Sequence, residues 1–215
     1  GRASIDSMYH ARGYYAARVK VIQTEPGPGQ VGIVFDVDEG NRVAISQVRV
    51  DGNNRFTDKA VVKHMATRPE GFFWWQKGQY DDDKLQADIR ERLPEYYGSH
   101  GYVDFQVVSD SIAVDSVNGK AVLHLAVQEG DPYKIGIFQI NGNRRFSTED
   151  LTSLYPFGAN GGAGQPFNRT EWSSATENVS TLYSNNGYIY AQVDPEETRR
   201  TGPNGESLLD LKWNI

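Results

Sequence analysis

The 215-residue chain contains no cysteine. That removes a disulfide framework, a thiolate metal site and a cysteine nucleophile at once, and leaves packing and hydrogen bonds to hold the fold. No apolar run approaches the roughly 20 residues of a membrane-spanning helix, and the first residues are not signal-like, so a soluble chain or a soluble piece of one is expected. Positive charge is not in excess either: the formal net charge is -6, the pI about 5.2 and the mean hydropathy -0.59. A nucleic-acid surface, which needs a basic stripe, is therefore set aside.

Candidate chemistry is equally sparse. His10, His64, His100 and His124 show no short ligand spacing, so no zinc site is expected. Asp81, Asp82 and Asp83 stand where acids stabilise the first turn of a helix, and adjacent helical residues point apart, so they read as a helix start and not as a cation site. Gly158 to Gly164, "GANGGAG", lacks the Lys-Ser/Thr of a phosphate loop and reads as a flexible linker. With no nucleophile elbow and no isolated acid pair, no catalytic residue, cofactor or metal is expected, and the chain reads as a non-enzyme.

Repetition is what the sequence does have. "HARGYYAARV", "GSHGYVDFQV" and "SNNGYIYAQV" place Gly13, Gly101 and Gly187 at intervals of 88 and 86 residues. "VRVDGNNRFTD" returns as "FQINGNRRFST", with Gly52 and Gly142 90 apart, and Glu39-Gly40 returns as Glu129-Gly130 at the same offset. A period near 90 suits a small independently cored domain in tandem. Residues 41–130 make one complete unit, 131–215 a nearly complete one lacking its closing Glu-Gly, and 1–40 the C-terminal part of another.

Each helix start carries the same three-part signal of apolar staple, polar cap and second staple. The sets are Phe56, Thr57 and Val61; Tyr80, Asp81 and Leu85; Phe146, Ser147 and Leu151; Phe167, Asn168 and Trp172. Asp150 and Glu171 add an acid at the third helical position. Each Gly-Tyr pair reads as a helix stop. The glycine takes the left-handed position, and Tyr14, Tyr102 and Tyr188 should touch Tyr9, Tyr97 and Tyr183 one turn back.

Strands surround the helices. "RVAISQVRV" alternates imperfectly through Val43, Ile45, Gln47 and Val50. After the helix stop, Val103, Phe105 and Val107 should face inward and Asp104, Gln106 and Val108 outward, with Ile189, Ala191 and Val193 the matching inward set. A further strand holds Val122 or Leu123, Leu125 and Val127. The expected class is α+β: tandem β-α-α-β-β domains, each a three-stranded sheet covered on one face by two helices.

Two stretches break pattern. "GFFWWQKG" puts Phe72, Phe73, Trp74 and Trp75 in succession between two helices, where they serve as packing or as a partner patch, with at least one ring expected in water. Pro94 lies inside the helix expected over 81–100 and should kink it.

The β-α-α-β-β order, the "GNNRF" and "GNRRF" turns, "YDDDKLQADIRERLPEYYGSHGYVDFQV" and the Glu-Gly closures resemble the polypeptide-transport-associated (POTRA) domains of BamA-type outer-membrane assembly proteins. The Phe-Trp-rich loop is similar to that of the third such domain, which would make 1–40 part of the second and 131–215 the fourth. The resemblance implies a periplasmic scaffold that binds unfolded outer-membrane β-barrel proteins, docks accessory assembly lipoproteins and precedes a membrane β-barrel that this sequence lacks. It also implies that the second strand is a sheet edge open to strand addition. The residues so implied are Asp104, Phe105, Gln106, Val107 and Val108, and Tyr190, Ala191, Gln192 and Val193. A secretion or cell-division scaffold holding one folded partner is the alternative.

Overall fold

The computed structural model describes residues 1–72, 78–115, 117–158 and 161–215. The chain forms two compact units. The first comprises residues 1–93 and 106–128, the second 94–105 and 129–215.

In the first unit, helix α1 (Arg2–Ala11) precedes an antiparallel hairpin of β1 (Arg18–Gly27) and β2 (Gln30–Asp38). Strand β3 (Ala44–Asp51), helices α2 (Asp58–Lys63) and α3 (Asp82–Ala87), and strands β4 (Gln106–Asp115) and β5 (Lys120–Gln128) follow. The sheet order is β3-β5-β4, with β3 parallel and β4 antiparallel to the central β5. In the second unit, α5 (Thr148–Thr152) and α6 (Arg169–Asn185) accompany β6 (Lys134–Asn141), β7 (Asp194–Thr201) and β8 (Ser207–Asn214). Their order, β6-β8-β7, repeats the same topology. This is the tandem α+β architecture expected from the repeats.

The helix starts form because the cap chemistry is local. Thr57 accepts from the Ala60 N–H (3.3 Å), Asp81 from Lys84 (3.3 Å), and Asn168 from Thr170 (3.0 Å) and Glu171 (3.2 Å). Ser147 accepts from Asp150, whose carboxylate accepts from the Ser147 N–H in return, a reciprocal capping box. The helix stops form as read too. Gly13, Gly101 and Gly187 have φ of 85°, 89° and 87°. The following tyrosine N–H reaches back to the Tyr9, Tyr97 and Tyr183 carbonyls at 2.9, 3.0 and 3.0 Å. Each tyrosine ring meets its partner with centroids 5.9 to 6.1 Å apart.

The core of the second unit shows what the period of α6 is for. Trp172, Ala175, Val179 and Tyr183 line one face of the helix and bury against Ile135 of β6 and Leu209, Leu211 and Trp213 of β8. Trp172 and Trp213 stack at 5.1 Å, and the Trp213 indole N–H donates to the Thr176 hydroxyl at 2.8 Å, satisfying a buried donor.

Two expectations are corrected, and the irregularity expected around Pro94 takes a specific form. The imperfect alternation of the first strand is a bulge: pairing with β5 shifts between Ile45 and Gln47, so Val48 is buried and Gln47 exposed. The same shift recurs between Ile135 and Phe138. Pro94 is accommodated by a π-helical turn at Asp88–Arg92 that joins α3 to α4 (Leu93–Gly98). The end of the glycine-rich segment, from Gly161 to Gly164, is fitted to the fold and is more than a spacer. Ile135 exchanges hydrogen bonds with Gly164 and Gln165, and a Cβ on Gly162 would strike Phe157.

Candidate functional site at the sheet edge

Strand β4 has β5 on one side and, among the described residues, no strand on the other. Its outer edge is therefore a row of backbone donors and acceptors open to a further strand. Of its side chains QVVSDSIAVD only Asp110 and Asp115 are charged, with Val107, Ile112 and Val114 half-buried and Val108 exposed. The register slips between Val107 and Ser109, leaving Val108 on a bulge. The regular edge thus runs over 109–115, further along the strand than the sequence places it. At its end the Asp115 carboxylate accepts from the Val117 and Asn118 N–H groups (3.0 and 3.2 Å). The side-chain hydrogen bond from Asn118, with the backbone ones after it, holds its pKa below the usual carboxylate range.

The residues named from the sequence are distributed unevenly. Gln106 and Val107 begin β4, and Gln106 bonds the Gln128 side chain at 3.0 Å. Phe105 precedes the strand and is buried, stacked on Tyr97 at 3.8 Å. Asp104 also precedes it and is engaged: it accepts from the Tyr133 hydroxyl (2.8 Å) and the Arg199 guanidinium (2.9 Å). Tyr190, Ala191, Gln192 and Val193 all lie ahead of β7, which starts at Asp194. Ala191 and Val193 pack against the core, whereas Ile189, expected inward, is 68% exposed.

The edge of β7 is chemically unlike that of β4. It carries Pro195, and Glu196, Glu197, Arg199 and Arg200 pair with Lys212, Arg169, Asp104 and Asp210. Lys212 and Asn214 hold the Glu196 pKa down. Proline and paired charges are how natural edges resist added strands.

Of the aromatic stretch, Phe72 is half-buried with Arg68 over its ring at 5.7 Å; Phe73, Trp74 and Trp75 lie outside the described residues. Phe72 also lines a groove of about 610 Å³ with Gln47, Val48, Val62 and Pro69. A groove of about 410 Å³ occupies the equivalent place in the second unit, along Ile137, Phe138, Thr148 and Thr152. Sequence reading missed both grooves, whose only trace is the bulged first strand. Among the described residues, no group of three or more His, Asp or Glu could hold a metal ion, and no helix is long and apolar enough to cross a membrane.

Comparison with known proteins agrees with this geometry. The POTRA family model, described as a surface antigen variable number repeat, matches residues 43–130 and 133–215. The outer membrane protein assembly factor BamA of Nitratidesulfovibrio vulgaris is 25% identical over 214 residues, covering 98% of this chain and 26% of that protein. BamA of Neisseria meningitidis serogroup B is 21% identical over 211 residues, covering 95% and 25%. The chain thus spans about a quarter of the length of these curated relatives. The crystal structure of Haemophilus influenzae BamA POTRA3-5 superposes with a TM-score of 0.51 at 16% identity, covering 99% of this chain and 78% of that one.

Proposed function

Because the chain belongs to the POTRA family, we propose that it is the periplasmic scaffold region of a BamA-type outer-membrane assembly factor and works as a non-catalytic, chaperone-like surface. In this reading 41–130 and 131–215 are tandem POTRA units, 1–40 is the C-terminal part of another, and the membrane β-barrel is supplied elsewhere in the protein. Its partners are unfolded outer-membrane β-barrel chains, which add to it as extended strands, and accessory lipoproteins docked on its folded faces.

The observation that carries the reading is the edge of β4 over 109–115, which has no strand beside it among the described residues and carries no proline. An incoming extended segment would pair with its backbone, so recognition tolerates many sequences. About five net hydrogen bonds at roughly 1 kcal/mol each, set against an association cost of at least about 4 kcal/mol, give weak, reversible capture. That suits handover to a barrel. β7, with Pro195 and paired charges, is the poorer edge.

NMR titration with an extended peptide from an outer-membrane β-strand tests this. Backbone shifts should concentrate on 109–115. Of Ser111→Pro and Ile112→Pro, one turns its lost donor outward and should keep the fold while abolishing capture, because alternate residues of an antiparallel strand face opposite sides. Ser111→Ala should bind like the parent. Capture lost in the alanine variant and kept in every folded proline variant would mean side-chain recognition and refute strand addition.

A further inference from the structure

The residues of β5 alternate between core and outer face. Leu123 and Leu125 are buried, whereas His124 between them is half-buried and turns the other way. The register sets His124 in a row across the sheet, opposite Arg49 of β3 on one side and Ser111 of β4 on the other. Side chains so placed stand about 5 Å apart at their Cβ atoms. Arg49 and Ser111 are exposed, and neither Arg49 nor His124 has a side-chain hydrogen bond or an ion pair among the described residues. Two acids share this face without neutralising the row. Asp51 stands one row further on, about 7 Å along β3. Asp115 lies two rows back, where it accepts from the Asn118 side chain and the Val117 N–H.

The second unit shows what such a row holds. Gln139 follows Arg49 at the offset that separates Gly52 from Gly142, and its row runs from Gln139 of β6 through Lys212 of β8 to Glu196 of β7. There the cation of the central strand is paired with a carboxylate of the neighbouring strand, and Lys212 and then Asn214 lower the Glu196 pKa. In the first unit the carboxylate is missing. Ser111 stands where Glu196 does, His124 takes the place of Lys212, and a guanidinium, Arg49, is added where the second unit has the neutral Gln139.

We propose that Arg49 and His124 form a binding site for the side-chain carboxylate of an acidic segment in a partner protein, which fills over Ser111 the place that Glu196 fills in the second unit. The guanidinium offers parallel N–H donors that a carboxylate accepts in pairs, and the imidazole donates one N–H when neutral and two when protonated. The adjoining rows carry small side chains, Ala113 and Ala126, which leave the incoming chain room to lie across the strands. The site is on the face of the sheet and separate from the β4 edge, and it does not depend on peptide capture there.

The test titrates the full chain, by NMR, with acetylated and amidated Thr-Val-Glu-Val-Thr and with its glutamine counterpart. Edge capture would be common to both peptides, so the difference between them reads the carboxylate site. The glutamate peptide should bind about three- to tenfold more tightly and move the His124 ring and Arg49 guanidinium signals. Arg49→Gln, which installs the residue of the second unit, should remove the difference. Ser111→Glu supplies the carboxylate from within the sheet; it too should remove the difference, and it should move the His124 ring signals before any peptide is added. Arg49 and Ser111 are exposed, so both variants should keep the fold, which the dispersion of the β5 amide signals checks. Equal affinity for the two peptides, or a preference for glutamate that survives either substitution in a folded chain, overturns the proposal.

Discussion

Replacing Gly101 and Gly187 by alanine, separately, would measure what the close packing of Tyr133 and Phe167 against Gly101 contributes. The two glycines have nearly the same backbone, φ +89° and +87°, and belong to the same compact unit. An alanine in the left-handed region costs about 1 to 2 kcal/mol at either place, and the gain from a less flexible unfolded chain is alike at both. Only at Gly101 does the new methyl meet backbone, 3.0 Å from the Tyr133 carbonyl oxygen and 3.3 Å from that of Phe167. Relief requires the backbone at Tyr133 and Phe167 to move. That loosens the Tyr133 N–H to Gly101 bond (2.9 Å) and the Phe167 N–H to Tyr133 bond (3.0 Å). At about 0.5 to 1 kcal/mol each, they add roughly 1 to 2 kcal/mol, so Gly101→Ala should lose about 2 to 4 and Gly187→Ala about 1 to 2 kcal/mol. Urea unfolding reports this if Trp74 and Trp75 are first changed to phenylalanine, leaving Trp172 and Trp213 as the fluorophores of the second unit. With an m-value of about 2 kcal/mol per molar, the midpoints should separate by roughly 0.5 to 1 M. Equal losses, or a larger one at Gly187, would refute this account of the contact at Gly101.

Other expected outcomes test the interior. Thr176→Val removes the acceptor of the buried Trp213 indole and should cost about 1 to 3 kcal/mol in denaturant melts, whereas the same change at exposed Thr170 should cost far less. Asp88 is 0% exposed and accepts from the Ala66 and Thr67 N–H groups at 2.6 and 2.7 Å and from Arg92 at 3.2 Å. Asp88→Ala strands these donors and should cost about 2 to 5 kcal/mol, with hydrogen exchange at Ala66 and Thr67 rising at least as fast as global opening. Burial raises the Tyr80, Tyr97 and Tyr155 phenol pKa values. Because the folded values lie above the unfolded value of about 10, this stability is complete below pH 10 and falls as pH rises beyond it. Thermal melts from pH 8 to 12 should show the loss, with a slope shallower by up to about 1.4 kcal/mol per pH unit in Tyr155→Phe.

What was legible in the sequence is what is local. A helix start is written in three residues because Thr57, Asp81, Ser147 and Asn168 cap N–H groups two or three positions away. A helix stop is written in two, since only glycine takes the left-handed turn comfortably and the next N–H must then reach back. The strands were less legible because pairing, not propensity, places their bulges: nothing adjacent to Gln47 says that Val48 is the inward residue. Ile189 was misread for a related reason. Its pattern matches that of buried Val103, but burial is conferred by a neighbouring core that the pattern cannot contain. The Tyr9 to Glu39 bond spans 30 residues and is visible only once the helix and the linker are brought together.

The two complete sheets share topology, bulge and groove, so whatever distinguishes their roles must lie in side chains laid over a common frame. Their second strands show the largest difference. On β4 the edge carries serine, valine and isoleucine with two aspartates; on β7 it carries a proline and four charged residues in ion pairs that cross to β8, α6 and Asp104. An added strand on β7 would meet a missing donor at Pro195 and would have to fit around pairs whose desolvation is unfavourable. On β4 it would meet neither. One edge is therefore suited to admit a guest and the other to exclude it, and exchange of the two edge sequences should move capture with the β4 residues. Swapping 109–115 with the corresponding part of β7 and repeating the peptide titration would decide this: capture that stays with the first sheet despite the charged sequence would place specificity in the frame and not in the edge.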